Sequence, residues 1–226
     1  QAPPLVVNQN GLDIFMHGRD DTVLEQQFMA KSLTGYTSKP FGAGADRFML
    51  QPYGRYTNAS RFAGETDGFE AIESVRKTYP IDANRIVMAG FSMGGAGCWQ
   101  MAVHYADRWC AANPGAGFSE TPLFLKVFQQ EKVSPTWYEQ KLWRWYDCPG
   151  WVLNLTSCPT VAYSGELDSQ KQAADVMAEA LRHEGNDLVH LIGRKTGHSY
   201  HPQAREEIDR RLSSIGLFDA FLERLP

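Results

Sequence analysis

The stretch Arg85-Ile86-Val87-Met88-Ala89-Gly90-Phe91-Ser92-Met93-Gly94-Gly95 constrains this chain more than any other. It opens as a short apolar run of strand type and passes through Gly-Phe-Ser-Met-Gly. It continues into Ala96-Gly97-Cys98-Trp99-Gln100-Met101-Ala102-Val103, which reads as a helix. A serine at so tight a strand-to-helix turn takes a strained backbone position. The residues two away on either side must lack bulk, and here they are Gly90 and Gly94. Such a turn lifts the Ser92 hydroxyl above the end of a sheet, over the N-terminus of the next helix. A chain with 20 glycines can produce the pentapeptide by chance. Set between a buried strand and a helix, it marks Ser92 as a candidate nucleophile.

The length of 226 residues fits one α/β domain over 1–226, and an apolar fraction of 43% is enough for one sizeable core. A formal charge of −4 argues against nucleic acid or an anionic membrane as the main partner. No run approaches the roughly 18 apolar residues of a membrane span, and no signal-peptide pattern is present. The start at Gln1 fits either a processed mature protein or a trimmed one, and both cytoplasmic and exported settings stay open. Four cysteines do not make a disulfide framework at this length. Cys98 and Cys110 read as buried free thiols, whereas Cys148 and Cys158 flank one segment and would be able to pair in an exported protein. Asn58-Ala59-Ser60 and Asn154-Leu155-Thr156 match the glycosylation pattern. There is no CxxC pair, HExxH or phosphate-binding glycine loop, so neither metal nor cofactor is expected.

In chain order, residues 1–10 read as a leading strand or arm, and Leu12 to Met16 as a strand. Val23 to Leu33 reads as a helix with Leu24, Phe28 and Met29 on one face. A turn-rich stretch, 35–44, precedes a strand at Arg47 to Leu50. Gln51-Pro52-Tyr53-Gly54-Arg55-Tyr56 is a loop at the expected functional edge, where Tyr53 and Arg55 are candidates to shape a substrate cleft. Phe69 to Val75 is an amphipathic helix with Thr66 or Asp67 as its N-cap, so Glu65 and Asp67 read as capping or paired carboxylates. Beyond Ser92, Trp109 to Asn113 reads as a strand. The aromatic-rich stretch from about Phe118 to Thr156 reads as a lid or cap-like insertion. It holds Phe118, Phe124, Phe128, Trp137, Tyr138, Trp143, Trp145, Tyr146 and Trp151, of which Trp143 and Trp145 are further candidates for substrate contact. Thr160 to Ser164 and Leu188 to Gly193 are strands, Gln170 to Leu181 is a helix, and Pro202 to Leu225 is mainly helical.

Gly90-Phe91-Ser92-Met93-Gly94-Gly95 resembles the nucleophile elbow of α/β-hydrolases. Phe-Ser-Met-Gly-Gly in particular is similar to prolyl-oligopeptidase-type hydrolases and to related single-domain esterases, such as feruloyl esterases and polyhydroxybutyrate-depolymerase-like enzymes. The resemblance implies an α/β fold with a mostly parallel central sheet flanked by helices, and a Ser, Asp, His order along the chain. Gly165-Glu166-Leu167-Asp168 resembles the acid loop, giving Asp168 as the acid with Glu166 as its rival. Gly197-His198 resembles the histidine loop, with His201 the other loop histidine nearby. His17-Gly18-Arg19 resembles the oxyanion loop, which implies backbone N–H donors from Arg19 and Met93. Full hydrolases of this type carry one or two strands before this one, so the N-terminal sheet edge is expected to be short or cut away.

The implied chemistry is hydrolysis of a small-molecule carboxylic ester through an acyl-enzyme on Ser92. A peptidase acting on small peptides is the alternative, as the catalytic part of a longer protein; family peptidases carry a large extra domain for which this chain leaves no room. A hydrolase-fold binding module with a misaligned triad is a third reading.

Overall fold

The computed structural model describes residues 10–20, 23–34, 46–55 and 57–222, with side chains for all of these except 32–34 and 216–222. The expectations for 1–9 and 35–44 lie outside these residues. Strands β1 (Asn10–Met16), β2 (Arg47–Leu50), β3 (Ile81–Phe91), β4 (Ala111–Gly115), β5 (Val161–Gly165) and β6 (Val189–Gly193) form one sheet in the order β2-β1-β3-β4-β5-β6. Every pairing is parallel. Helices α1 (Glu25–Thr34), α2 (Ala63–Thr78), α3 (Met93–His104) and α6 (Gln172–His183) lie in the crossovers between successive strands, and α7 (Pro202–Leu222) follows the last strand. Between β4 and β5 lie α4 (Thr121–Leu123), which runs into a π-helical turn at Phe124–Phe128, then α5 (Trp137–Trp143) and a 3-10 segment at Pro149–Thr156.

A parallel sheet is covered on both faces, and the side-chain alternation of β1 and β3 shows how. Leu12, Ile14, Met16, Ile86 and Met88 point into one core with Ile72 of α2, Trp99 and Met101 of α3 and Met177 of α6. Phe15, Val87 and Ala89 point into the other, closed by Ile208 and Leu212 of α7. Helix α3 is buried continuously from Gly94 to Val103, which explains why that run is apolar on every side except at Gln100. Asp13 is the polar exception in β1. Its carboxylate is buried and takes the Arg47 guanidinium from neighbouring β2, with Nε at 2.9 Å.

Some expectations need correction. Helix α1 forms, but Leu24 is 70% exposed and only Phe28 of the proposed face packs inward, against His17 and Tyr53. Helix α2 starts at Ala63, so Thr66 and Asp67 lie inside it; the N-cap position is Phe62, whose φ of 55° breaks the chain into the helix. Trp109 precedes β4; it is buried, and its indole N–H donates to the Met101 carbonyl at 3.0 Å. All four cysteines are free thiols. Both sequon asparagines are tied down, Asn58 to the Arg61 carbonyl at 2.9 Å and Asn154 to the Val103 carbonyl at 2.8 Å. Among the described residues no helix is long and apolar enough to cross a membrane.

The topology selects one edge. The chain steps from β1 outward to β2, then returns to the opposite side of β1 as β3. In an open parallel sheet, a crevice forms beyond the strand C-termini where the order reverses in this way. The segments after β1 and β3, His17-Gly18-Arg19 and Ser92-Met93, sit at that point.

Candidate active site

Ser92 has φ 61° and ψ −122°, a left-handed conformation that a non-glycine residue adopts at a cost. The close packing around it excludes other side chains. A Cβ on Gly90 would lie 2.1 Å from the Gly94 carbonyl oxygen, and one on Gly94 would lie 1.9 Å from that of Met16. The start of α3 therefore sinks against the end of β1, and Gly18 faces Ser92 across van der Waals distance. Met93 is the first residue of α3, where amides have no intrahelical acceptor and the helix dipole is positive. Arg19, Ser92 and Met93 line one cleft of about 440 Å³ together with Arg61, Gly117, Phe118, Phe124, Phe128 and Gln170.

Asp168 and His198 meet beyond the ends of β5 and β6. The Nδ1 of His198 is 2.7 Å from Oδ2 of Asp168. The other carboxylate oxygen accepts the Gln170 amide at 2.9 Å, so Asp168 also caps the turn that leads into α6. Asp168 is buried, whereas the imidazole is partly open to solvent. The His198 ring packs on Phe91, the residue before Ser92, with centroids 4.8 Å apart. The Ser92 hydroxyl has no hydrogen-bond partner among the described residues; such contacts often tighten only when substrate binds. Glu166 does different work. Its Oε2 accepts the Lys195 amide at 2.7 Å, while the Leu167 amide donates to Thr196 at 2.9 Å, so the two loops are laced together. His201 gives its backbone N–H to the Tyr163 hydroxyl, and the imidazole facing Asp168 is that of His198.

The candidate substrate residues separate. Tyr53 stacks on His17 and donates its hydroxyl to the Val23 carbonyl at 3.1 Å, lining a smaller hollow of about 200 Å³ that shares Arg19. Arg55 turns away to Asp67 at 3.1 Å and Glu70 at 3.6 Å on α2. Trp143 lines a different cavity inside the insertion, with Pro122, Leu123 and Lys126. Trp145 is 68% exposed and lines none of these cavities. The correction is that only the first arm of the insertion, through Phe118, Phe124 and Phe128, reaches the Ser92 cleft.

Some contributors carried no signal in the sequence. Tyr200 stacks between Phe91 and Tyr163 at 4.8 and 4.7 Å and donates to Asn113 at 3.2 Å, steadying the histidine loop from below. Burial pushes its phenol well above the usual range. Gln170 accepts the Gly117 amide at 2.8 Å and joins the acid loop to the cleft wall. Their partners are distant in the chain, so no local motif marks them.

The model of the prolyl oligopeptidase family matches residues 63–218, more than half of the chain. The chain belongs to that family. It is therefore a member of a serine hydrolase family that includes esterases and peptidases. A search of the curated proteins gave no match. Among solved structures, the family member is similar to a ferulic acid esterase at 17% identity and TM-score 0.63, covering 92% of this chain and 86% of that one. It is similar to a Staphylococcus aureus fluorophosphonate-binding serine hydrolase at 15% identity and TM-score 0.64, covering 94% and 86%. A putative dipeptidyl aminopeptidase IV from Bacteroides ovatus aligns at 10% identity and TM-score 0.66, over 93% of this chain but 31% of that one. At these identities the structures speak for the α/β-hydrolase fold alone.

Proposed function

We propose that this family member hydrolyses carboxylic esters through an acyl-enzyme on Ser92. The observation that carries the reading is the 2.7 Å bond from His198 to buried Asp168, on the same sheet edge as a serine held at φ 61°. His198 Nε2 takes the Ser92 proton as the oxygen attacks the acyl carbonyl. Asp168 holds the tautomer and stabilises the imidazolium. The Met93 and Arg19 backbone N–H groups receive the oxyanion, each donor contributing about 2.7–4 kcal/mol where such groups have been removed from serine enzymes. Collapse expels the alcohol, which takes the proton from His198, and water then repeats the sequence on the acyl-enzyme. The phenylalanine-lined cleft beside Ser92 supports an acyl group with apolar length. Peptide hydrolysis is the second reading, favoured by the family model itself.

The test is fluorophosphonate labelling with peptide mapping, run beside 4-nitrophenyl esters of graded chain length and aminoacyl 4-nitroanilides. A single adduct on Ser92 with ester turnover supports the proposal. Turnover of the anilides alone moves it to a peptidase, and a folded sample with neither adduct nor turnover ends it.

A further inference from the structure

The Ser92 cleft contains a guanidinium that makes no ion pair among the described residues. Arg61 lies in its wall, with the guanidinium carbon 5.3 Å from the ring centroid of Phe118 and 5.3 Å from that of Tyr146. Its Nε is buried with no hydrogen-bond partner among the described residues. Asp147 feels the charge of Arg61 across space, but the hydrogen bonds of the nearby acids go to other groups. Asp147 accepts the Thr121 amide and hydroxyl at 2.8 and 2.7 Å, and Glu65 binds the Gln100 amide and the Tyr146 hydroxyl.

The backbone is distorted to put Arg61 there. Ala59, Ser60 and Phe62 have φ of 56°, 55° and 55°, and the Asn58 side chain holds the Arg61 carbonyl across the turn. Left-handed non-glycine residues are rare and concentrate at functional sites. Two aromatic rings lie over the guanidinium, and its terminal N–H groups, without a hydrogen-bond partner among the described residues, are left for an in-plane acceptor such as a carboxylate. The leaving alcohol must stay within reach of His198, which is not part of this cleft wall, so the cleft receives the acyl side.

We propose that Arg61 is the anion-recognition residue of the acyl site, and that the preferred substrates are esters whose acyl group ends in a carboxylate. The apolar spacer lies along Phe118, Phe124 and Phe128. The proposal rests on the ester reading above. The experiment compares mono-4-nitrophenyl esters of adipate, pimelate and suberate with their methyl-capped diesters, in wild type and in Arg61→Gln and Arg61→Lys.

Wild type should favour the monoester in kcat/KM by at least about tenfold at one or more chain lengths, mainly through KM. In Arg61→Gln that ratio should fall to about one, and Arg61→Lys should lie between, because it keeps the charge and loses the fork. The ratio is internal to each sample, so a general loss of activity does not imitate the result. A wild-type ratio within about threefold at every length overturns the proposal, as does a preference that survives in Arg61→Gln. The wild-type ratio decides the matter if the variants do not fold. Should no ester be turned over and Ser92 remain unlabelled, the ester reading fails separately. Thermal shift with monomethyl suberate then tests the anion site alone. A wild-type shift that Arg61→Gln lacks supports it, and no wild-type shift overturns it.

Discussion

Asp168→Asn is the substitution that most sharply tests the proposed chemistry, because the surrounding bonds dictate how the new amide must sit. In the native site one carboxylate oxygen accepts the Gln170 amide at 2.9 Å and the other faces His198 Nδ1 at 2.7 Å. Asparagine has a single oxygen. Facing that oxygen to Gln170 keeps the turn intact and aims the NH2 at the imidazole. Nδ1 then has to accept, the proton moves to Nε2, and that nitrogen is unable to act as the base proposed for Ser92. The flipped amide restores the tautomer but sets two donors against each other at Gln170, an unsatisfied pair that costs about 1–3 kcal/mol. By the Boltzmann factor this leaves from about one molecule in six to one in 160 in that form. Those molecules also lack the charge that stabilises the imidazolium. A fall in kcat of about 10⁴, roughly 5.5 kcal/mol of barrier, is therefore expected with little change in KM.

The assay is steady-state hydrolysis of a 4-nitrophenyl ester, with circular dichroism to establish folding. Glu166→Gln is the control. Its amide oxygen still accepts the Lys195 N–H, and turnover should stay within about threefold of wild type. Retention of more than a tenth of wild-type kcat by folded Asp168→Asn would refute the tautomer argument. A large loss in Glu166→Gln would move the acid.

Gly94→Ala places a Cβ 1.9 Å from the Met16 carbonyl oxygen, so α3 must move off the end of β1. Urea denaturation should show at least about 2–3 kcal/mol of lost stability, or the variant should fail to fold. Burial depresses the basicity of His104 and of His190, so near pH 6 the unfolded chain binds protons that the folded chain refuses. Stability is then full above about pH 6.5 and is lost as pH falls through the folded values; the melting temperature should fall from pH 7 to 5, less steeply in His104→Phe. Burial raises the Cys148 and Cys158 thiols to about 12 and that of Cys98 well above its usual value. Ellman's reagent should reach these three only on unfolding, with half-buried Cys110 the one native thiol that reacts readily.

The parts of the fold that the sequence announced are those written locally. The elbow has glycines where Cβ atoms cannot go, β1 and β3 are apolar runs buried on both faces, and Asp168 and His198 follow strands directly. What stayed hidden depends on contacts between distant segments or on conformations without a residue signature. Arg61 is placed by left-handed Ala59, Ser60 and Phe62, where a reader of sequence expects glycine or asparagine. The start of α2 was misplaced for the same reason. Aromatic content located the insertion but did not sort it, since Phe118 and Trp145 look alike until the chain is folded and only Phe118 meets the cleft.

The two strained helix starts share one backbone conformation. Phe62 has φ 55° and ψ −118°, nearly the conformation of Ser92, and each residue immediately precedes a helix. Neither is glycine, so each conformation costs about 1–3 kcal/mol that the surrounding structure must offset. For Ser92 the offset is the burial of α3 on every side. Helix α2 is half exposed and holds its start differently. Glu65 in its first turn binds Gln100, a buried polar residue in otherwise apolar α3. Tyr146 reaches Glu65 at 3.5 Å while its ring lies against both Phe62 and Arg61. A side-chain bond to α2 thus gives Gln100 a reason to sit in that core, and the same knot fixes the guanidinium relative to the serine. The proposed nucleophile and the proposed anion site stand just before the starts of separate helices, and the Glu65–Gln100–Tyr146 contacts tie those starts together.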